Sequence, residues 1–193
     1  MVRQDIRCFI FDLDGTLVFN ERANFLAYRA AFKTAGLDLS EGDFVGHFRN
    51  GGNIEEIFKD FTTTHHLPYD PAVLQRIKTS KVGEYAKRFR LIEENTPIVR
   101  LLQALAPHYH TALATTGREE NARPLLDAFG LTPFFHYLVF GGDVTHKKPD
   151  PECHHAIAVH FGVRPDQCLI FEDSPKGFAA AEAFGAHIVK VTP

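Results

Sequence analysis

Cys8-Phe9-Ile10-Phe11 runs without a break into Asp12-Leu13-Asp14-Gly15-Thr16-Leu17. No other stretch constrains the fold as tightly. A short apolar run rich in aromatic and β-branched residues reads as a buried strand. Its end carries two carboxylates two positions apart, which an extended backbone points the same way. Paired like charges at the mouth of a buried strand repel one another and resist desolvation. A cation between them offsets both costs. A solvated Asp-x-Asp-Gly turn is the other reading of the same residues, and the rest of the chain decides between them.

Strand-like and helix-like segments alternate, the pattern of an α/β fold with a parallel sheet. The expected strands are Ile6–Phe11, Thr111–Thr115, Tyr137–Phe140, Gln167–Phe171 and His187–Val191. Each is short and largely apolar, as strands covered on both faces must be. Helices are expected over Pro97–Ala106, Glu119–Phe129, Pro151–Phe161 and Lys176–Phe184. Asp150-Pro151-Glu152 offers an N-cap, a first-turn proline and an acid, and Ser174-Pro175 repeats that start. Gly130, Gly162 and Gly185 each follow an aromatic residue where a left-handed helix end is expected.

Residues 18–95 break the alternation. They read as helical almost throughout, with Ala23–Ala35, Ile54–Thr64 and Pro71–Arg88 as candidates. We expect a helical cap domain there, inserted after the first strand of a core formed by residues 1–17 and 96–193. Glu93-Glu94-Asn95-Thr96-Pro97 is the expected return linker, because Pro97 biases Thr96 away from helix. Phe25, Phe32, Phe58 and Phe61 fit a cap core.

A chain of 193 residues that is 45% hydrophobic can bury a substantial core. Its net charge of −3 gives no general attraction to nucleic acid or anionic membranes. Cys8, Cys153 and Cys168 cannot all pair with one another, so buried free thiols in a reducing compartment are expected. The N-terminus is too polar for a signal peptide and no apolar run reaches transmembrane length. A cytoplasmic protein is the expectation.

Ligands of open α/β sheets bind beyond the carboxyl ends of the strands. After the first strand stand Asp12 and Asp14. After the second stand Thr115-Thr116-Gly117-Arg118, a hydroxyl before a helix start, which suits an anion. An N-cap or an ordinary strand threonine is the bland alternative. After the third comes Lys148-Pro149, an ammonium beside a stiff backbone, suited to a phosphate or to two carboxylates. After the fourth stand Glu172-Asp173-Ser174. Acids from two strands at one sheet edge suit a hard cation such as Mg²⁺.

In order and spacing, Asp12-Leu13-Asp14-Gly15-Thr16, Thr115, Lys148-Pro149-Asp150-Pro151 and Glu172-Asp173-Ser174 resemble the four signatures of the haloacid dehalogenase (HAD) superfamily, over nearly the whole chain. The resemblance is to the helical-cap subfamily of phosphoglycolate phosphatases, sugar-phosphate phosphatases and β-phosphoglucomutases. It implies a Rossmann-like parallel core with helices on both faces, and a Mg²⁺-dependent phosphatase acting through an aspartyl-phosphate. Asp12 would be the nucleophile and Asp14 the general acid and base. Thr115 and Lys148 would hold phosphoryl oxygens, with Thr116 a rival to Thr115. The metal would take the Asp12 carboxylate, the Asp14 carbonyl and Asp173, with Glu172 acting directly or through water.

Substrate contacts are expected from Gly117 and Arg118, from Gly51-Gly52-Asn53 at the start of a cap helix, and from Lys81. Lys81 also reads as part of a solvated helix face, one turn from Tyr85. The implied partner is a small phosphorylated metabolite, with sugar phosphates and phosphoglycolate the leading classes, and the protein a monomer or homodimer. Asn24 stands where β-phosphoglucomutase-like members and some sugar phosphatases carry a histidine, and Phe19 where an aspartate is common. Both favour hydrolysis over phosphomutase chemistry. The presence of Asp14 argues against dehalogenation. Intact Asp12, Asp14 and Asp173 argue against a non-catalytic binding module. The sequence ends at Pro193, just after the fifth strand, which suits a short form of the fold or a truncation. His65-His66 and His154-His155 read as structural or solvated, since adjacent residues do not share a helix face.

Overall fold

The computed structural model describes residues 5–49 and 53–192. The chain runs through β1 (Cys8–Phe11), β2 (Val18–Phe19), α1 (Glu21–Lys33), α2 (Glu41–Arg49), α3 (Ile54–Thr64), α4 (Pro71–Ala86) and β3 (Glu93–Glu94). It continues through α5 (Thr96–Leu105), β4 (His110–Ala114), α6 (Glu119–Ala128), β5 (Tyr137–Val139), α7 (Glu152–Phe161), β6 (Cys168–Glu172), α8 (Pro175–Phe184) and β7 (His187–Lys190). These fall into two compact units, one of residues 1–19 and 94–193, the other of residues 20–93.

The first unit is an α/β layer structure. Its sheet has five strands in the order β5-β4-β1-β6-β7, all parallel. β1 is central, with β4 on one side and β6 on the other, so the chain switches its direction of travel across the sheet there. Such a switch point opens a crevice beyond the strand ends. The register pairs Phe11 with Leu113 and with Phe171. Asp12 and Glu172 therefore leave neighbouring strands at the same level.

Alternation along β1 feeds two cores. Cys8 and Ile10 join Ala112, Ile170, Ile157 of α7 and Ala181 and Phe184 of α8 in one buried cluster. Phe11 stacks on Phe171 at 4.6 Å on the other side of the pleat. The three cysteines are free and buried. The second unit is helical. Tyr28 and Phe32 of α1, Phe44 of α2, Ile57, Phe58 and Phe61 of α3, and Leu74 and Ile77 of α4 form its core, with Phe25 packed against it. The aromatic residues expected to fill this core do so.

Helix punctuation follows the sequence closely. Gly130, Gly162 and Gly185 have φ of 62°, 63° and 87°. Ser174 caps α8 by accepting the Gly177 N–H at 3.1 Å. Three expectations need correction. Glu41–Arg49 forms a helix that the sequence did not announce, because Gly42 and Gly46 dilute its periodicity. Thr96 lies inside α5 despite preceding Pro97. Proline is tolerated in a first turn, where its missing N–H has no intrahelical acceptor. The Asp150 carboxylate accepts the Glu152 N–H at 2.9 Å, but α7 starts at Glu152, one residue later than its proline suggested.

No helix among the described residues is long and apolar enough to cross a membrane. His154 is buried in α7 at 0% exposure, its ring 5.6 Å from that of Phe184. Burial pushes its pKa down to about 3. Between about pH 6.5 and pH 3 the unfolded chain takes up a proton that the folded chain refuses, so stability falls with acid by about 1.4 kcal/mol per pH unit. Chemical denaturation of His154→Leu across pH 3–7 should show a shallower acid decline than the parent. Parallel curves would remove His154 from the acid response.

Candidate active site

Four loops at the carboxyl edge of the sheet supply the polar residues. Asp12 follows β1 and is 8% exposed. Its backbone N–H donates to the Phe171 carbonyl at 3.0 Å, which locks the β1 and β6 exits together. Lys148, 7% exposed, reaches in from the loop after β5. Its ammonium donates to Asp12 Oδ1 at 2.8 Å, the Ala114 carbonyl at 2.8 Å and Glu172 Oε2 at 2.6 Å. Those three acceptors match its three protons.

The Lys148 loop is itself tied down. The Glu152 carboxylate accepts the backbone N–H groups of Thr145 at 2.8 Å and His146 at 2.7 Å. Asp143 accepts the Phe140 N–H at 2.8 Å. Gly141 donates to the Gly117 carbonyl at 2.8 Å, so the loops after β4 and β5 are fastened side by side.

Glu172 is 1% exposed. Its Oε1 accepts the Asp173 and Ser174 N–H groups at 3.1 and 3.0 Å and the Ser174 hydroxyl at 2.9 Å. Asp173 accepts the Thr16 hydroxyl at 3.3 Å. Its other oxygen lies where a Gly15 Cβ would stand, 2.0 Å from that position. Gly15 has φ of 88°, so glycine is needed there for conformation and for space.

Thr115 is buried, and its hydroxyl oxygen accepts the Gly117 N–H at 3.0 Å. That N–H was expected to face an anion; here it is engaged within the loop. Asp14 Oδ2 lies 3.9 Å from the position of a Gly117 Cβ, so the carboxylate faces the Thr115–Gly117 turn. The Thr116 carbonyl oxygen lies 2.1 Å from where a Gly141 Cβ would stand. Arg118 is exposed at the start of α6 and lies 3.7 Å from Glu120.

The substrate residues expected in the helical unit have separate placements. Gly52 lies outside the described residues. Asn53 caps α3, accepting the Glu56 N–H at 3.1 Å. Lys81 is half-buried rather than on a solvated face. Its ammonium is 4.2 Å from the Tyr85 ring centroid and 5.0 Å from that of Tyr28.

Crowding sets the electrostatics. Burial and then the charge of Glu172 raise the Asp12 pKa, and Lys148 offsets only part of this. Burial also works against the Glu172 carboxylate, but Lys148 and the Ser174 donors hold its pKa below the ordinary glutamate value. Burial alone would lower the Lys148 pKa; the facing Asp12 and Glu172 charges raise it. Asp173, buried and close to Glu172, is pushed up to about 7. Asp12, Glu172 and Asp173 each present a carboxylate oxygen within 4.8 Å of the others. One ammonium touches only two of them. This surplus of negative oxygen donors fits a hard divalent cation.

Sequence reasoning assigned no site role to Thr16 or to Ser174, which it read only as a helix start, and none to the Ala114 carbonyl or Gly177. The first two stand inside the signatures, and their hydroxyls beside acids were the available signal. A backbone carbonyl leaves no such trace.

The model of the haloacid dehalogenase-like hydrolase family matches residues 9–191. The chain is 30% identical over 184 residues to fructose-1-phosphate phosphatase YqaB of Escherichia coli K12, covering 94% of each. It is 30% identical over 198 residues to protein CbbY of Rhodobacter capsulatus, covering 98% of this chain and 86% of that one. A crystal structure from Haemophilus somnus, described as a predicted phosphoglycolate phosphatase, superposes with a TM-score of 0.87 at 23% identity, covering 98% and 86% of the two chains. At that identity the likeness concerns the fold. The family model and the two sequence relatives go further: the chain belongs to the haloacid dehalogenase-like hydrolases.

Proposed function

We propose that this chain is a Mg²⁺-dependent phosphoric monoester hydrolase that cleaves a small phosphorylated metabolite through a phosphoryl group carried on Asp12. The observation that carries this reading is the Lys148 ammonium bridging Asp12 and Glu172 beside Asp173.

Asp12 can act with the oxygen that Lys148 does not hold. That oxygen attacks phosphorus, a P–O bond forms to Asp12, and the P–O bond to the substrate alcohol breaks. Asp14 gives its proton to the departing alkoxide. It then accepts a proton from a water that attacks the acyl phosphate, releasing inorganic phosphate and freeing Asp12. Lys148 fixes the attacking carboxylate and supplies positive charge near the transferring group. Thr115 has a hydroxyl proton to give to a phosphoryl oxygen while its oxygen accepts from Gly117.

Asp12 and Asp173, with the Asp14 carbonyl, are the residues proposed to hold Mg²⁺. The Glu172 oxygens already take three donors and the Lys148 ammonium, so we assign Glu172 to orienting Lys148. When bound, Mg²⁺ would supply charge that screens the approach of carboxylate to phosphate and steadies the transition state.

A sugar phosphate is the favoured substrate class, because a relative that matches 94% of the chain at 30% identity is named for fructose 1-phosphate. Arg118, Gly52, Asn53 and Lys81 remain the proposed substrate contacts. A phosphate-release screen over sugar phosphates, phosphoglycolate and an aryl phosphate tests the proposal. Chelation should cut turnover to below about 1% of its Mg²⁺-supplied value, and added Mg²⁺ should restore it. Metal-independent turnover would reject the Mg²⁺ assignment. Buried Asn24 on α1 replaces the histidine of the mutases, so free phosphate, rather than an isomerised sugar phosphate, is the expected product from a hexose 1-phosphate.

A further inference from the structure

Gly177 is a glycine that its own backbone does not require. It is the third residue of α8, and it is absent from the positive-φ glycines. Alanine is the better residue in a helix. What forbids it is space. A Cβ on Gly177 would stand 1.9 Å from Glu172 Cδ, 2.1 Å from Oε2 and 2.4 Å from Cγ.

A long acid ordinarily swings clear of an added methyl group. Glu172 is buried and pinned at both oxygens, by Asp173, Ser174 and Lys148. The Ser174 hydroxyl that donates to Glu172 also accepts the Gly177 N–H. Any retreat of Glu172 from residue 177 pulls on the Lys148 ammonium, and through it on Asp12.

We propose that Gly177 is a positioning residue of the active site: its bare Cα is the seat for the Glu172 carboxylate, which in turn sets where Lys148 meets Asp12. The catalytic part of this inference rests on the phosphatase reading above. The seat itself does not.

The test is a cycle of Gly177→Ala, Glu172→Ala and the double variant. It is followed by turnover of an aryl phosphate and by thermal melting of the metal-free proteins. Gly177→Ala alone should lower kcat by about 10²-fold and lower the melting temperature, although it replaces a poor helix former by the best. In the Glu172→Ala background the same substitution should cost less than about twofold in kcat and nothing in melting temperature. A Gly177→Ala protein that folds only when Glu172 is also alanine supports the seat equally. If Glu172→Ala has no measurable turnover, melting decides. Full activity of Gly177→Ala, or equal losses of melting temperature in both backgrounds, overturns the seat. A parent protein that releases no phosphate defeats the phosphatase reading, while the melting cycle still reports on Gly177.

Discussion

Asp12→Asn should remove phosphate release, by at least about 10⁴-fold in kcat, while the protein melts at the parental temperature or above it. The two halves have one cause. Asp12 is buried within reach of Glu172 and Asp173, and the ammonium that serves it is shared with Glu172. A carboxylate in that setting is a strong candidate nucleophile because the Lys148 ammonium aims it and it is poorly solvated. The same crowding makes it a burden on the fold. An asparagine keeps the shape and an oxygen for Lys148, gives up the charge, and has no anionic oxygen to attack phosphorus. Circular dichroism melts and a phosphate-release assay on the purified variant read both halves. Retained turnover would sink the nucleophile assignment. Lost turnover with a collapsed fold would move Asp12 from chemistry to structure.

The fold was legible where local pattern and global packing ask for the same residues. β1 needs apolar side chains on both faces, and Cys8–Phe11 supplies them in consecutive positions. The glycines that end α7 and α8 follow their last aromatic residues directly. Legibility fell where a helix carries weak periodicity, as in α2 with its two glycines. It also fell at element ends, where β1 begins at Cys8, two residues later than the expected strand from Ile6.

In the site, sequence placed the acids at strand exits, because an acid after an apolar run is visible without knowing what it meets. It did not show which partners each one has. The three acceptors of Lys148 lie 136, 34 and 24 positions away along the chain, and one of them is a backbone carbonyl. Nor did it show that Thr115 spends its hydroxyl oxygen on Gly117, or that Gly177 is small for the sake of Glu172. Those facts depend on packing between loops, which no single segment encodes.

Lys148→Met should be the most damaging single change to activity and stability together. The ammonium satisfies three buried acceptors, and methionine offers none of them a proton. Asp12 and Glu172 would face each other across an apolar side chain, each with a charge that burial makes costly. Breaking one partner out of a buried ion pair typically costs 3–5 kcal/mol; for a chain of this size that lowers melting by on the order of 10 °C. Activity should fall by about 10³-fold or more, since both the aim of Asp12 and the charge near the phosphoryl group are lost. Arginine should not substitute, because its planar fork is longer and fits two carboxylates and a carbonyl in a different geometry. A second change separates the two losses. Adding Glu172→Gln to Lys148→Met removes one of the stranded charges, so part of the melting temperature should return while turnover does not. If the double variant melts no higher than Lys148→Met, the destabilisation does not come from stranded carboxylates. If turnover returns with it, Lys148 serves the fold and not the reaction.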